Sequence, residues 1–456
     1  MMQWPETRPN TALLTDKYEL TMLDAALKNG TANRHCIFEV FTRSLPPGRR
    51  YGVVAGTGRV LEALQNFKFT DDDLNYLLET KAVDPATVEY LRNYKFTGNI
   101  WGYAEGETFF PNSPIMQVEG TFGEACILET LILSILNYDS AVASAASRMT
   151  SAAVNRPCLE MGSRRVNEQA AVAAARAAII AGFTGTSNLE AGYRYGLPTI
   201  GTAAHAFTLL HDDELSAFKA QIAAFGTDTT LLVDTYDIKR GVDNAIKAGG
   251  TNLGAVRIDS GDLGALAVEV RDQLDKLGAK NTKIVVTSDL DEYAIAALAA
   301  VPVDSFGVGT SLSTGSGAPT CGMVYKLVAR TNSEGVLEGV AKASSNKASS
   351  GGRKNAGRRV DAEGRDVEEI LVIGADEAVR DWNPDNPPIR PLMVQLVKDG
   401  VIDQIWVGAE GVKRAIERHA ASRNALPRLA RRLSKGEPAI HTITEDLGGL
   451  VMDKEV

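Results

Sequence analysis

The sequence is short of the features that would tie it to a membrane, a metal or a disulfide scaffold. Its four cysteines, Cys36, Cys126, Cys158 and Cys321, lie far apart with no Cys-x-x-Cys pair. That spacing speaks against a disulfide framework and for reduced thiols in a cytosol. Among five histidines, His205 and His211 are six residues apart, which does not fit the i, i+4 metal pattern, and no third ligand is evident. No zinc site is therefore expected, and no metal-ligating residue is assigned. Met1 to Asn10 is polar and lacks an apolar h-region, so no signal peptide is expected. The longest apolar run, Ala125 to Leu136, is broken by Glu129 and Thr130 and is too short to span a bilayer. No Gly-x4-Gly-Lys-Ser/Thr occurs, so any ATP use is not of the P-loop kind. A net charge of −9 argues against broad affinity for nucleic acid or anionic membrane. The basic stretch from Lys413 through Arg432 to Lys435 reads as a solvated face of surface helices.

What is present is ordinary in amount and informative in order. An apolar fraction of 44% and a charged fraction of 23% suit a globular protein, and 456 residues suggest two or three domains. From about residue 125 to about 325 a short apolar run repeatedly ends in a polar or glycine-containing turn, with a helix-like segment usually following. The runs are Cys158–Met161, Gly182–Phe183, Thr199–Ile200, Leu231–Val233, Ala255–Ile258, Ile284–Val286 and Phe306–Val308. This grammar predicts βα units on a parallel sheet, and favours an irregular (β/α) barrel over an open sheet. Leu128 to Met149 and Asn167 to Ala181 read as helices. A further helix follows Ser260-Gly261-Asp262, with Leu263, Leu266, Val270, Leu274 and Leu277 at spacings of three and four. Asp262 suits its N-cap and Gly278 its C′ position.

Both ends of the chain carry strand-like runs (Cys36–Phe41, Asn99–Tyr103, Gly322–Val328, Gly335–Ala341) and are assigned to one flanking α+β domain. The expected division is 1–125 and 326–456 for that domain, the latter with terminal helices, and 126–325 for the barrel. Lys342 to Arg359 reads as a mobile basic loop, either a hairpin tip or a flap that contacts phosphate.

The turns hold the reactive side chains. His205, in Gly201-Thr202-Ala203-Ala204-His205, has a side chain suited to proton transfer or nucleophilic attack near neutral pH. Asp234 ends the next strand, where a carboxylate can orient an imidazole or simply cap a helix. Arg257-Ile258-Asp259-Ser260-Gly261-Asp262 sets an arginine and a carboxylate on one side of a strand and then opens a helix. Asp259 suits ribose hydroxyls and the helix start suits phosphate. Val308-Gly309-Thr310-Ser311 with Gly315-Ser316-Gly317 is a second candidate phosphate nest.

In order along the chain, these motifs resemble the nicotinate phosphoribosyltransferase family. The likeness runs from about 11 to 330 and also rests on Thr15-Asp16-Lys17-Tyr18-Glu19-Leu20-Thr21-Met22, Phe38-Glu39-Val40-Phe41, Gly162-Ser163-Arg164-Arg165 and Gly185-Thr186-Ser187-Asn188. It implies a type II phosphoribosyltransferase barrel beside the flanking domain. It also implies a cytoplasmic homodimer with shared active sites, working on nicotinate, phosphoribosyl pyrophosphate and ATP, with Mg²⁺ on the pyrophosphate. By the same resemblance His205 becomes phosphorylated and Asp234 orients it. Arg257, Asp259, Ser260 and Gly261 hold the ribose and phosphates, and Gly309 and Thr310 the 5′-phosphate. Tyr18 stacks on the pyridine across the dimer, and Arg164 and Arg165 lie near base and pyrophosphate. Ser187 stands where related nicotinamide enzymes carry Asp, so no carboxylate repels nicotinate. One departure is Met161, where many relatives have Phe. The competing readings are a nicotinamide- or quinolinate-using enzyme, a non-catalytic phosphosugar-binding relative, and an unrelated barrel such as an aldolase using Lys326.

Overall fold

The computed structural model describes residues 10–342, 350–374, 379–382 and 389–447, and the backbone of 451–452. The chain divides into two compact units, residues 1–141 with 320–456, and residues 142–319.

The first unit is built on an eight-stranded sheet. Its spatial order is Val401–Ile402, Met393–Lys398, Asn99–Tyr103, Met116–Thr121, His35–Thr42, Met323–Thr331, Leu337–Gly339 and Val451–Met452. The central His35–Thr42 strand pairs antiparallel on both sides and is buried from Cys36 onward, with Cys36, Phe38 and Val40 in the main core and Glu39 bonded to Lys354 of the second sheet. Phe38 stacks on Tyr325 there, with ring centroids 4.8 Å apart. The basic C-terminal stretch forms the helix Gly408–Ala425 and a 3-10 turn, Arg428–Arg431. Lys413, Arg428, Arg432 and Lys435 are exposed along it, as a solvated face requires, whereas Arg418 and Arg423 are half-buried, Arg418 lying over the Trp406 ring.

A second sheet in this unit corrects the expected basic loop. Arg353–Val360 is a β-strand, buried from Arg353 to Arg358 and paired with Asp366–Gly374 and Ile389–Pro391. The charge that suggested a solvated loop is neutralised inside. Lys354 Nζ lies 2.6 Å from Glu39, Arg353 2.5 Å from Glu119, and Arg358 bonds Glu369 and Asp366. Residues 343–349 of that expected loop lie outside the described residues.

The second unit holds a six-stranded parallel sheet. Its order is Gly185–Thr186, Cys158–Glu160, Ser305–Val308, Lys283–Val286, Ala255–Ile258 and Thr230–Leu232. Every pairing is parallel, and the sheet curls into a half-barrel, the irregular (β/α) barrel that the turn grammar predicts. Two strand positions differ from expectation. Pairing begins at Gly185–Thr186 rather than Gly182–Phe183, because Gly182 takes φ +99° and turns the chain first. Thr199 makes only a single bridge, to Thr186. The helix Leu263–Lys276 starts with Asp262 accepting the Ala265 N–H and ends before Gly278 at φ +80°. The helix Glu168–Ile180 is buried from Ala171 to Ile180, since alanines let neighbouring backbones approach.

Among the described residues one helical run, Phe122–Ala152, is long and apolar enough to cross a membrane, and 67% of its apolar window is buried within the protein.

Candidate active site

Parallel βα units place all their strand-to-helix turns at one end of the sheet, so side chains from distant segments converge there. In the second unit they border a cleft of about 1020 Å³. Arg164, Arg165, Ser187, Arg257, Asp259, Gly309 and Thr310 all line it. His205 begins the helix His205–Leu209 directly after Ala204, a lining residue.

Asp234 organises the neighbourhood of His205. Its side chain is 1% exposed, and its Oδ2 accepts the Asp259 N–H at 2.9 Å and the Ser260 hydroxyl at 2.8 Å. Its Oδ1 is buried with no hydrogen-bond partner and lies 3.9 Å from His205 Nε2. The other ring nitrogen, Nδ1, is 3.1 Å from the Thr235 hydroxyl. The imidazole is 40% exposed and so reachable by a ligand. One carboxylate thus ties the Arg257-to-Asp262 motif to the histidine, leaving one oxygen for an imidazole that gains charge or a proton.

Arg257 is half-buried, with Nη1 3.4 Å from the Thr202 hydroxyl and Nε unpartnered. Burial holds this guanidinium below the usual arginine value, and Asp259 and Asp234 oppose that effect. Asp259 Oδ1 accepts the Thr287 hydroxyl, which fixes the carboxylate's rotamer. Gly309 and Thr310 open the short turn Thr310–Ser313. Gly315 takes φ +64° in the following loop, where a Cβ would lie 2.2 Å from the Ala318 carbonyl.

In the turn after the strand Cys158–Glu160, Arg164 and Arg165 are exposed and form no ion pair among the described residues, so both are available to anions. Ser187 is exposed on the same wall. Met161 lies against Gly307, where a Cβ would come within 2.8 Å of its sulfur. The cleft therefore combines three arginines with three carboxylates, Asp228, Asp259 and Asp289. Such a mixture suits a polyanion bearing hydroxyl groups.

Three expected residues stand apart. Ser260 commits its hydroxyl to Asp234, and neither it nor Gly261, at φ +87°, lines the cleft. Asp262 occupies one amide at that helix start, which leaves the terminus less open to phosphate than the motif suggests. Tyr18 belongs to the first unit. It is 45% exposed, and burial together with Glu129 raises its hydroxyl above the ordinary range.

The sequence reading missed Thr202, Thr235, Thr287 and Glu160. The threonines follow strand ends, as the selected residues do, but threonine is so common in turns that only their partners distinguish them. Glu160 is fully buried, and burial raises its carboxyl above the usual value, against hydrogen bonds from Thr186 and Gly162.

Two family models match this chain. Residues 13–137 match the nicotinate phosphoribosyltransferase N-terminal domain, and residues 157–368 match the nicotinate phosphoribosyltransferase family. A nicotinate phosphoribosyltransferase of Mycobacterium tuberculosis is 55% identical over 96% of both chains. Another, of Bacillus subtilis, is 39% identical over 84% of this chain and 80% of its own. In fold, the chain resembles human nicotinic acid phosphoribosyltransferase, with TM-score 0.78 and 24% identity over 94% of this chain and 97% of that one. The nicotinate-nucleotide pyrophosphorylase of Pyrococcus furiosus matches with TM-score 0.74 and 25% identity, over 93% and 99% of the two chains.

Proposed function

Since this chain belongs to the nicotinate phosphoribosyltransferase family, we infer that its cleft joins nicotinate to phosphoribosyl pyrophosphate and that ATP drives the step through phosphorylated His205. The enzyme forms nicotinate mononucleotide and releases pyrophosphate, a step of NAD salvage. The observation that carries the ATP-coupled reading is Asp234. Its unpartnered Oδ1 faces His205 while its Oδ2 holds the donor-binding motif. Phosphorylation at either ring nitrogen leaves a proton on the other, and a buried carboxylate stabilises that cationic ring.

The residues divide the work by charge. Arg257 and Asp259 take the donor's phosphate and ribose hydroxyls, and the Gly309–Thr310 turn takes the 5′-phosphate. As the anomeric carbon loses pyrophosphate, positive charge develops on the sugar and negative charge on the leaving group, which Arg257 and Arg164 stabilise. Arg165 attracts the nicotinate carboxylate past Ser187. Holding the weakly nucleophilic pyridine nitrogen against that carbon supplies much of the acceleration. Tyr18 reaches the base from a second protomer in a homodimer, and the enzyme acts in the cytoplasm.

Mg²⁺ fits this arrangement. Among the described residues no group of three His, Cys, Asp or Glu could cage a metal. Mg²⁺, however, usually keeps several waters and takes one or two carboxylates plus substrate phosphates. Asp259 and Asp289, after neighbouring strands, would hold it, and it would neutralise charge on the departing pyrophosphate.

The test is mononucleotide formation from purified protein, phosphoribosyl pyrophosphate and Mg²⁺. Nicotinate or nicotinamide is supplied, each with and without ATP. Nicotinate-dependent product that rises with ATP is expected, and His205→Ala should lose the ATP effect while its circular dichroism is unchanged. Equal ATP stimulation in that variant would remove His205 from the role.

A further inference from the structure

Glu160 is the last residue of the strand Cys158–Glu160 and is fully buried. Its two carboxylate oxygens are used on two different loops. Oε1 accepts the Gly162 N–H at 2.5 Å, and Oε2 accepts the Thr186 hydroxyl at 2.5 Å. The Thr186 hydroxyl in turn accepts the Asn188 N–H at 3.0 Å, while the Glu160 backbone carbonyl accepts the Ser187 N–H at 2.9 Å. A fifth link, from the Asn188 side-chain amide to the Ser163 hydroxyl at 3.0 Å, runs between the same segments. One loop carries Arg164 and Arg165 and the other carries Ser187.

Hydrogen-bond direction makes the acid specific. Gly162 N–H can only donate. With Asn188 donating to the Thr186 oxygen, the threonine's own proton points to Glu160, so both Glu160 oxygens are required as acceptors. Glutamine has the same shape but offers one acceptor, so it must lose or invert one link. Among the described residues no cation pairs with Glu160, and a buried carboxylate without a counter-charge is destabilising unless its hydrogen bonds are complete. Proximity adds to the constraint: a Cβ at Gly162 would lie 2.9 Å from the Gly309 carbonyl and 3.1 Å from Glu160 Oε1.

We propose that Glu160, acting through Gly162 and Thr186, is the positioning residue that sets the spacing between the arginine loop and the Ser187 loop and so governs recognition of the base. The proposal rests on the reading of this cleft as a nicotinate site. Glu160 touches no reacting atom; it holds the residues that do. Asp259, on the donor side of the cleft, is anchored separately, through Asp234 and Thr287.

The experiment compares Thr186→Val, Thr186→Ser and Glu160→Gln with wild type in the full-length enzyme. Valine keeps the shape of threonine and removes the hydroxyl, whereas serine keeps the hydroxyl. Thr186→Val and Glu160→Gln should raise KM for nicotinate about tenfold with KM for phosphoribosyl pyrophosphate within about twofold, and Thr186→Ser should stay near wild type. Both impaired variants should also discriminate less between nicotinate and nicotinamide. Unchanged nicotinate KM in folded Thr186→Val and Glu160→Gln overturns the proposal. So does a fall in kcat alone, or loss of folded protein in both variants by circular dichroism, since either marks a purely structural role. Inactivity of the wild type would count against the reaction itself. Calorimetric titration of nicotinate into the same four proteins then decides the positioning role by the same ordering of affinities.

Discussion

Asp234→Asn separates the two tasks proposed for one carboxylate. An asparagine can point its carbonyl at the Asp259 N–H and Ser260 hydroxyl, which Asp234 Oδ2 now accepts at 2.9 and 2.8 Å. Its amide then faces His205 Nε2 in place of Oδ1, 3.9 Å away. The local fold survives and the negative charge disappears. At that separation unit charges attract by about 4 kcal/mol at an effective dielectric near 20 and by about 1 kcal/mol in bulk water. With the imidazole 40% exposed, an intermediate value of about 2 kcal/mol applies, roughly a thirtyfold loss of ATP-coupled turnover. Asp234→Ala goes further. It leaves the Asp259 N–H and the Ser260 hydroxyl unpaired, adding a stability loss of about 1–3 kcal/mol. The assays are steady-state ATP-coupled mononucleotide formation, turnover without ATP, and urea unfolding of each variant. Asn should lose coupling with little change in unfolding midpoint or in ATP-independent turnover, whereas Ala should lose both coupling and stability. Wild-type coupling in the Asn variant would refute the electrostatic argument.

Ser187→Asp places an anion on the wall assigned to the base, and it should lower kcat/KM for nicotinate about tenfold while sparing nicotinamide, read by parallel assays of the two bases. Gly307→Ala would set a Cβ 2.4 Å from Thr287 Cγ2 and 2.8 Å from the Met161 sulfur. Overpacking there should cost about 1–3 kcal/mol by urea unfolding, with weakened donor binding because Thr287 holds Asp259. Stability should fall in acid through His419, whose burial, reinforced by Arg423 and opposed by Glu107, lowers its pKa from 6.5 to about 3. The unfolded chain takes up a proton between those values and the folded chain does not, so this contribution is complete above pH 6.5 and is lost as pH falls toward 3. At about 1.4 kcal/mol per unit its upper bound is roughly 5 kcal/mol, and His419→Gln should flatten unfolding midpoints measured between pH 7 and pH 4.5.

The parallel sheet, its helices and most cleft residues were legible in the sequence because their signals are local. Leu263 to Leu277 repeats every three or four residues between an Asp cap and a positive-φ glycine, and those neighbours decide the helix whatever surrounds it. Strand ends also declare themselves locally, so Arg257, Asp259, Gly309 and Thr310 could be chosen from their turns and do share one cleft. Partnership is not local. Tertiary structure alone joined Ser260 to Asp234 rather than to a ligand, and set Thr235 and Thr287 beside His205 and Asp259. It also gave Glu160 its two loops. The Lys342-to-Arg359 stretch shows the physical reason most plainly. A run of cations costs too much to bury alone, so local reading sends it to solvent. Yet Lys354 is buried because Glu39, 315 positions earlier, lies 2.6 Å from its ammonium. Whether a charge is solvated or paired depends on the residue opposite, and only the folded chain decides which residue that is.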